Sequence, residues 1–467
     1  MVSRAVGDGR ALTYLYLPGR YCPTPPRGVC ALRAEPNCAV ASQHCCGRSH
    51  PRLSKAIAAG QVLRHRAPMP VPFLPSPLLD DSSLRTVSVS HGDDAYRTTR
   101  QALEMVPLAR VSGARILLKV NAGRMAPPVS GIDTHPEVVA AAIDAFTEAG
   151  AIVSVGDSPI AGVRALEALE MCGIAEVARR RGVRVLDLDH RQPVIVELKQ
   201  GIAIRQLKVC ADVLEQDLVV SIPVMKTHMH TGVTLSVKNM KGCLWRRSKT
   251  DLHMLNPVEG YSDRPLDIAI ADMAGVLRPH LAIVDGIVGL EGLGPSAGAR
   301  KPFGVVVVSA DPFAADAVSC HLMGRDAVTI PHLRLGAERN LGEIRLEHLD
   351  ISPVNWKTLV QPFAEPPREL SLDFPGVRVL DQNSCSACQS TLLMFLKRYG
   401  DSLFDDFGEK RPVDIAIGKG HPSLPNGTLC LGSCTIAHRG VGPFIPGCPP
   451  VASSIHAVLA KAKNTGE

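Results

Sequence analysis

The sequence predicts an α/β protein: a doubly wound, mostly parallel sheet, followed by a smaller C-terminal α/β module rich in cysteine. Three observations lead there. Continuously apolar segments such as "RILLKV" and "GVVVVS" read as strands buried on both faces. They alternate with amphipathic helical segments, the pattern of a parallel sheet covered by helices. They also end in polar residues, and in such sheets ligands bind beyond the carboxyl ends of the strands.

Taken in order, "RTVSVS" (85–90) alternates as a strand and "YRTTRQALEMV" (96–106) reads as a helix. "ARILLKVN" (114–121) is a buried strand with a polar end. "THPEVVAAAIDAFTEAG" (134–150) is a helix with a threonine cap, a proline near its first turn and a glycine stop. "AIVSVGDSP" (151–159) is a strand that breaks at Gly156 and Asp157, and "VRALEALEMCGIAEVARRRG" (163–182) is one helix. "VRVLDLD" (183–189) and "DLVVSIPVMK" (217–226) are strands, "RPLDIAIADMAGVL" (264–277) a helix, and "LAIVDG" (281–286) and "FGVVVVSAD" (303–311) strands. The proline-rich stretch 351–376 reads as a connector with a short strand pair. The chain therefore divides into an extension over 1–68, an α/β domain over 69–350, the connector and a cysteine module over 377–467.

At 45% hydrophobic and 21% charged residues, the 467-residue chain fits a soluble globular protein. It has no run of eighteen uncharged apolar residues, so no membrane span is expected. The net charge of +6 is unevenly spread: residues 1–68 carry ten Lys and Arg against Asp8 and Glu35, which leaves 41 against 43 in the rest. With a near-neutral body and 4% aromatic residues, nucleic-acid binding has little support. The N-terminal stretch lacks the apolar core of a secretory signal. It reads as a disordered or non-native segment upstream of Met69, with an Arg-rich presequence or a metal-binding run of Cys22, Cys30, Cys38, Cys45 and Cys46 as alternatives. The expected location is cytoplasmic.

The strand ends supply the candidate site. Lys119 and Asn121, Asp157 and Ser158, Lys226 and His228, and Asp285 each follow an apolar run. The densest stretch is "SIPVMKTHMHTGVTLSVKNMKG" (221–242), which adds His230, Lys238 and Lys241 among hydroxyl side chains. Cations at that density suit a phosphate or carboxylate. Lys226, His228, Asp157 and Lys119 are the candidate catalytic residues, and Asn121, Ser158, His230, Lys238, Lys241 and Asp285 the candidates for binding a small anionic substrate. Metal ligation by His228 and His230 is an alternative without an identifiable third ligand. "LDLDH" (186–190) is a weaker metal candidate, since strand alternation gives its aspartates one shared face. "GLEGLG" departs from the dinucleotide fingerprint, and no P-loop motif occurs.

"LLKVN", "THPEVVAAAI", "VGDSP", the lysine-histidine stretch, "IVDGIVGLEGLGP" and "VVSADPFAADAVSCHLMG" occur in an order that resembles the domain-of-unknown-function 362 family, over residues 85–345. The resemblance implies a conserved α/β domain of unsettled biochemistry, often accompanied by iron–sulfur motifs. The usual ferredoxin-like C-x-x-C repeats are not present in this chain.

Cysteines in the C-terminal region suggest a metal site of a different kind. Cys385 and Cys388 form a C-x-x-C at the head of an amphipathic helix, where thiolates are favoured. "CLGSCTIAHRGVGPFIPGCPP" (430–450) then offers Cys434 and Cys448 in loops, with Cys430 a spare. Glycines let amides approach cluster sulfurs, and a proline after a ligand cysteine fixes the backbone. The four cysteines are expected to hold an iron–sulfur cluster of the 4Fe–4S type, with zinc as the alternative and disulfides disfavoured. C-x-x-C before a helix, "GSC" and "GCPP" over 383–455 resemble the proximal-cluster region of nickel–iron hydrogenase small subunits and the twenty-kilodalton subunit of respiratory complex I. Two function classes follow. One is an iron–sulfur oxidoreductase or electron-transfer protein working with an electron donor or acceptor. The other is a non-redox binding or maturation protein with a structural metal site.

Overall fold

The computed structural model describes residues 85–160, 162–365, 376–403, 413–450 and 454–458. The expectations for residues 1–68 and for a start at Met69 lie outside these. Sixteen strands are found among the described residues: β1 Thr86–His91, β2 Arg115–Val120, β3 Ile152–Asp157, β4 Arg184–Asp187, β5 Val194–Glu197, β6 Gln206–Val209, β7 Leu218–Ile222 and β8 Val224–His228. They continue with β9 Gly232–Thr234, β10 Leu281–Glu291, β11 Ala299–Ser309, β12 Asp350–Ser352, β13 Val377–Asp381, β14 Val413–Ile417, β15 Leu429–Leu431 and β16 Phe444–Ile445.

The large sheet runs in the order β12-β1-β11-β10-β7-β2-β3-β4, with β8 on β10 and β9 on β8. Its pairs are parallel except β1 with β11, β10 with β11 and β8 with β9. Alternation divides each central strand between two cores. Ile116, Leu118, Val220 and Ile283 pack on one face beneath the Pro136–Glu148 and Ile174–Arg180 helices. Leu117, Val219, Ala282 and Val284 pack on the other with the Pro265–Ala274 and Pro312–Leu322 helices. Both faces are covered, which is why these strands read as continuous apolar runs.

Local chemistry altered several expected elements. Pro223 lacks an amide for the ladder, and the expected 217–226 strand divides there into β7 and β8. The 163–182 helix divides at Gly173, which takes φ 82°. The cap of the Pro136–Glu148 helix is His135, whose Nδ1 accepts from the Glu137 amide, rather than Thr134. Thr134 instead donates to the Ile222 carbonyl at 2.7 Å and accepts from the Asn121 amide at 2.8 Å. β10 and β11 are each eleven residues long and antiparallel, longer than their apolar runs, because beyond the irregularity at Gly286–Val288 they pair again from Val288 with Pro302 to Glu291 with Ala299.

A second sheet, β13-β14-β15-β16, is wholly parallel. Leu392, Phe395 and Leu396 of the Ser386–Leu403 helix pack on Ile415, Ile417 and Leu431 to form its core. No helix among the described residues is long and apolar enough to cross a membrane.

Candidate functional site

β2 and β3 run parallel to their neighbours and β8 runs parallel to β10, so their last residues meet at one edge. Lys119 Nζ lies 2.8 Å from Asp157 Oδ1 and reaches Asn239 Oδ1 at 3.1 Å. Asp157 also accepts from the Ala122 and Ser158 amides, each at 2.7 Å. Lys226 donates to Asn121 Oδ1 and to the Ile132 carbonyl, both at 2.6 Å. The short Ser236–Asn239 helix that carries Lys238 is anchored by Asp316, which accepts from the Ser236 and Val237 amides at 2.7 and 3.0 Å.

A cavity of about 430 Å³ opens at this edge, within the size range of small-molecule sites. Lys119, Asn121, Asp157, Ser158, Lys226, His228, Lys238 and Lys241 all line it. His230 and Asp285 do not. His230 Nε2 lies 2.9 Å from the Ser390 hydroxyl behind the wall. Asp285 is buried and accepts from the His135 and Ile287 amides at 2.7 and 3.0 Å, so it braces the loop.

The cavity is rich in cations whose charge is suppressed. Burial brings Lys238 down to about 7, helped by Lys226, and holds Lys241 well below the ordinary lysine range. Lys241 Nζ sits 2.5 Å from His253 Nε2. Asp267, the carboxylate acting on both lysines, is 3.1 Å from His332 Nδ1 and does not line the cavity. His228 and His253 are held well below the usual imidazole range by burial and the nearby lysines. His228 Nδ1 accepts from the His230 and Thr231 amides at 3.1 and 3.4 Å, which places the neutral ring's proton on Nε2.

Asp133, Arg124, Lys249 and His253 also line the cavity, and the strand-end argument missed them because they come from loops and a short helix. The i, i+4 spacing of Lys249 and His253 was a signal. Asp133 is 3% exposed, and neither of its carboxylate oxygens has a hydrogen-bond partner of ordinary geometry, although the Lys226 charge and the Arg124 and Gly123 amides act on it. Burial raises its pKa and lowers that of neighbouring Lys226. Asp187 and Asp189 serve turns instead: Asp189 accepts from the Arg246 amide at 2.6 Å and Asp187 from the Asp189 amide at 2.9 Å.

One wall of the cavity comes from the C-terminal sheet's helix and loop: Ala387, Ser390, Thr391, Met394, Pro449 and Pro450. Cys385 and Cys388 sit at the head of that helix, and Cys448 directly precedes the two prolines. The Cys388 thiol donates to Cys385, which lowers the pKa of Cys385 and raises that of Cys388, and the charges of Cys434 and Cys448 act on Cys388 as well. Gly432 faces Cys388 so closely that a Cβ there would lie 3.4 Å from its Sγ. Cys448 Sγ is 3.1 Å from Met254 Sδ, and its carbonyl accepts from Arg247. Cys430 is a core residue of β15 whose thiol donates to the Thr428 and His438 carbonyls, each at 3.6 Å. Among the described residues, no three His, Cys, Asp or Glu side chains gather closely enough to hold a single metal ion.

Comparison with known proteins places this geometry in context. The family described as "domain of unknown function (DUF362)" matches residues 116–321, which contain β3, β8, nearly all of β2 and all five lysines that line the cavity. A thylakoid-associated protein of Synechocystis sp. is 30% identical over 324 residues, covering 66% of this chain and 88% of its own. The solved lactate racemase apoprotein of Thermoanaerobacterium thermosaccharolyticum is 12% identical with a TM-score of 0.33, over 51% of this chain and 58% of that one, a likeness too slight to argue from. The chain belongs to the domain-of-unknown-function 362 family.

Proposed function

We propose that this protein is an iron–sulfur redox protein that binds a small anion at the carboxyl edge of its large sheet, beside a cluster held by Cys385, Cys388, Cys434 and Cys448. The observation that carries this reading is the shared wall: the helix headed by Cys385 and Cys388 and the prolines after Cys448 line the lysine-rich cavity. The thiols suit a 4Fe–4S cluster. Cys385 favours the thiolate, and the charges of Cys385, Cys434 and Cys448 act on Cys388, so the four thiols are neighbours. The resemblance of 383–455 to hydrogenase proximal-cluster regions supports the same choice. When bound, such a cluster supplies single-electron transfer.

The chain's own residues would do the rest. Lys238 and Lys241, with His228 Nε2 as a donor, bind the anion. Lys226, held by Asn121, stands beside Asp133 to take or give a proton. The Lys119–Asp157 pair fixes the floor. The thylakoid association of the Synechocystis relative favours a membrane-associated setting over the free cytoplasm.

Potentiometric titration of protein purified without oxygen tests the reading, with and without sulfate. A reducible centre whose midpoint moves to more negative potential with sulfate is expected. A protein with no reducible centre would leave the non-redox alternative, a structural zinc or cluster site, in its place.

A further inference from the structure

We infer that the ligand of this cavity is bipolar: a small molecule whose anionic head is taken by Lys238 and Lys241 and whose far end donates a hydrogen bond, from a hydroxyl or an ammonium, to Asp133. This rests on the anion-site reading and names its substrate class.

The two poles differ in what they lack. At the lysine pole, Lys238 and Lys241 crowd His228, and the one carboxylate that acts on both lysines, Asp267, lies outside the cavity lining. At the other pole, Asp133 is buried with both oxygens unpartnered, although an unsatisfied buried carboxylate is costly. Asp157 cannot substitute, because Lys119 and two amides already occupy it. The backbone on either side is fixed, since the Ile132 carbonyl accepts from Lys226 and Thr134 is bonded to Ile222 and Asn121, and Asp133 lines the cavity there beside Lys226. Burial raises its pKa, and a ligand donor placed on the carboxylate would bring it back down. Met229, Leu293, Met394 and Ile160 also line the cavity, so it can accept an apolar connecting part of the ligand.

Calorimetry of the full chain at pH 7 tests this with matched probes: O-phosphoethanolamine against ethyl phosphate, and β-alanine against propionate. The donor-bearing member of at least one pair should bind about tenfold more tightly, the scale of one hydrogen bond to a charged group. Asp133→Asn, which keeps the side chain's size, should remove the preference and leave ethyl phosphate or propionate within about twofold of its affinity for the unaltered protein. Lys238→Met should weaken all four probes. Equal affinities within both pairs, or a preference that survives Asp133→Asn, would overturn the bipolar ligand while leaving the anion site standing. Failure of every probe to bind would overturn the anion site and this inference with it. Should Asp133→Asn not fold, the comparison within each pair on the unaltered protein still decides.

Discussion

Lys119 and Asp157, the last polar residues of two neighbouring parallel strands, form an ion pair of 2.8 Å with side chains only 1% and 3% exposed. Two amides hold the carboxylate, while Asn239 and the Val120 carbonyl hold the ammonium, so neither charge is left to solvent or to a missing partner.

Removing one partner strands the other. Lys119→Met should destabilise the protein by about 3–5 kcal/mol in denaturant unfolding. The double variant Lys119→Met with Asp157→Leu should recover part of that loss, because no buried charge then remains. A single variant as stable as the parent would show that the pair is solvated.

Gly242 lies over this pair, and a Cβ there would come within 2.5 Å of Asp157 Oδ1 and 2.6 Å of Lys119 Nζ. Both atoms are pinned, so they cannot move aside cheaply. Gly242→Ala should cost about 1–3 kcal/mol and weaken anion binding. The two effects are read by chemical denaturation and calorimetry with sulfate, and a neutral substitution would contradict the packing described.

Lys238 separates function from stability. Its folded-state pKa of about 7 lies below the 10.5 of the unfolded chain, so its contribution to stability is complete above 10.5 and is lost as pH falls through about 7. Lys238→Met should therefore stabilise the ligand-free protein by about 1–2 kcal/mol at pH 6, with the gain vanishing toward pH 11. An equal effect at both ends of that range would refute the assignment.

Sulfate binding should follow the same proton. The anion needs Lys238 charged, so above pH 7 binding takes a proton up, and affinity should fall about tenfold per pH unit for one such lysine. Calorimetry in buffers of different ionisation enthalpy reads the uptake directly. Affinity that stays flat from pH 6 to 9 would exclude Lys238 from the anion's first contacts.

Much of this site was legible in the sequence because a buried parallel strand must end in polar residues where it reaches the ligand edge. Lys119, Asp157, Lys226 and His228 were found that way and line one cavity. Asp285 follows the same rule yet serves the His135 loop, since a strand end records position and says nothing of which backbone group the side chain will meet. Asp133 and His253 were hidden for the opposite reason: they come from irregular segments, brought in by Thr134 bonded to Ile222 and by the lysine contact at His253. The antiparallel β10–β11 pair depends on ladder partners that no local period reveals.

The central claim is that four thiols beside this cavity hold iron and sulfide, and assay of both in protein purified without oxygen tests it most directly. About four irons and four acid-labile sulfides per chain are expected for a 4Fe–4S cluster. Cys385→Ser and Cys448→Ser should lose them, while Cys172→Ser, Cys320→Ser and Cys430→Ser keep them, since those three thiols are buried away from the other four. Stoichiometric zinc with no sulfide, or iron retained after Cys448→Ser, would contradict the account.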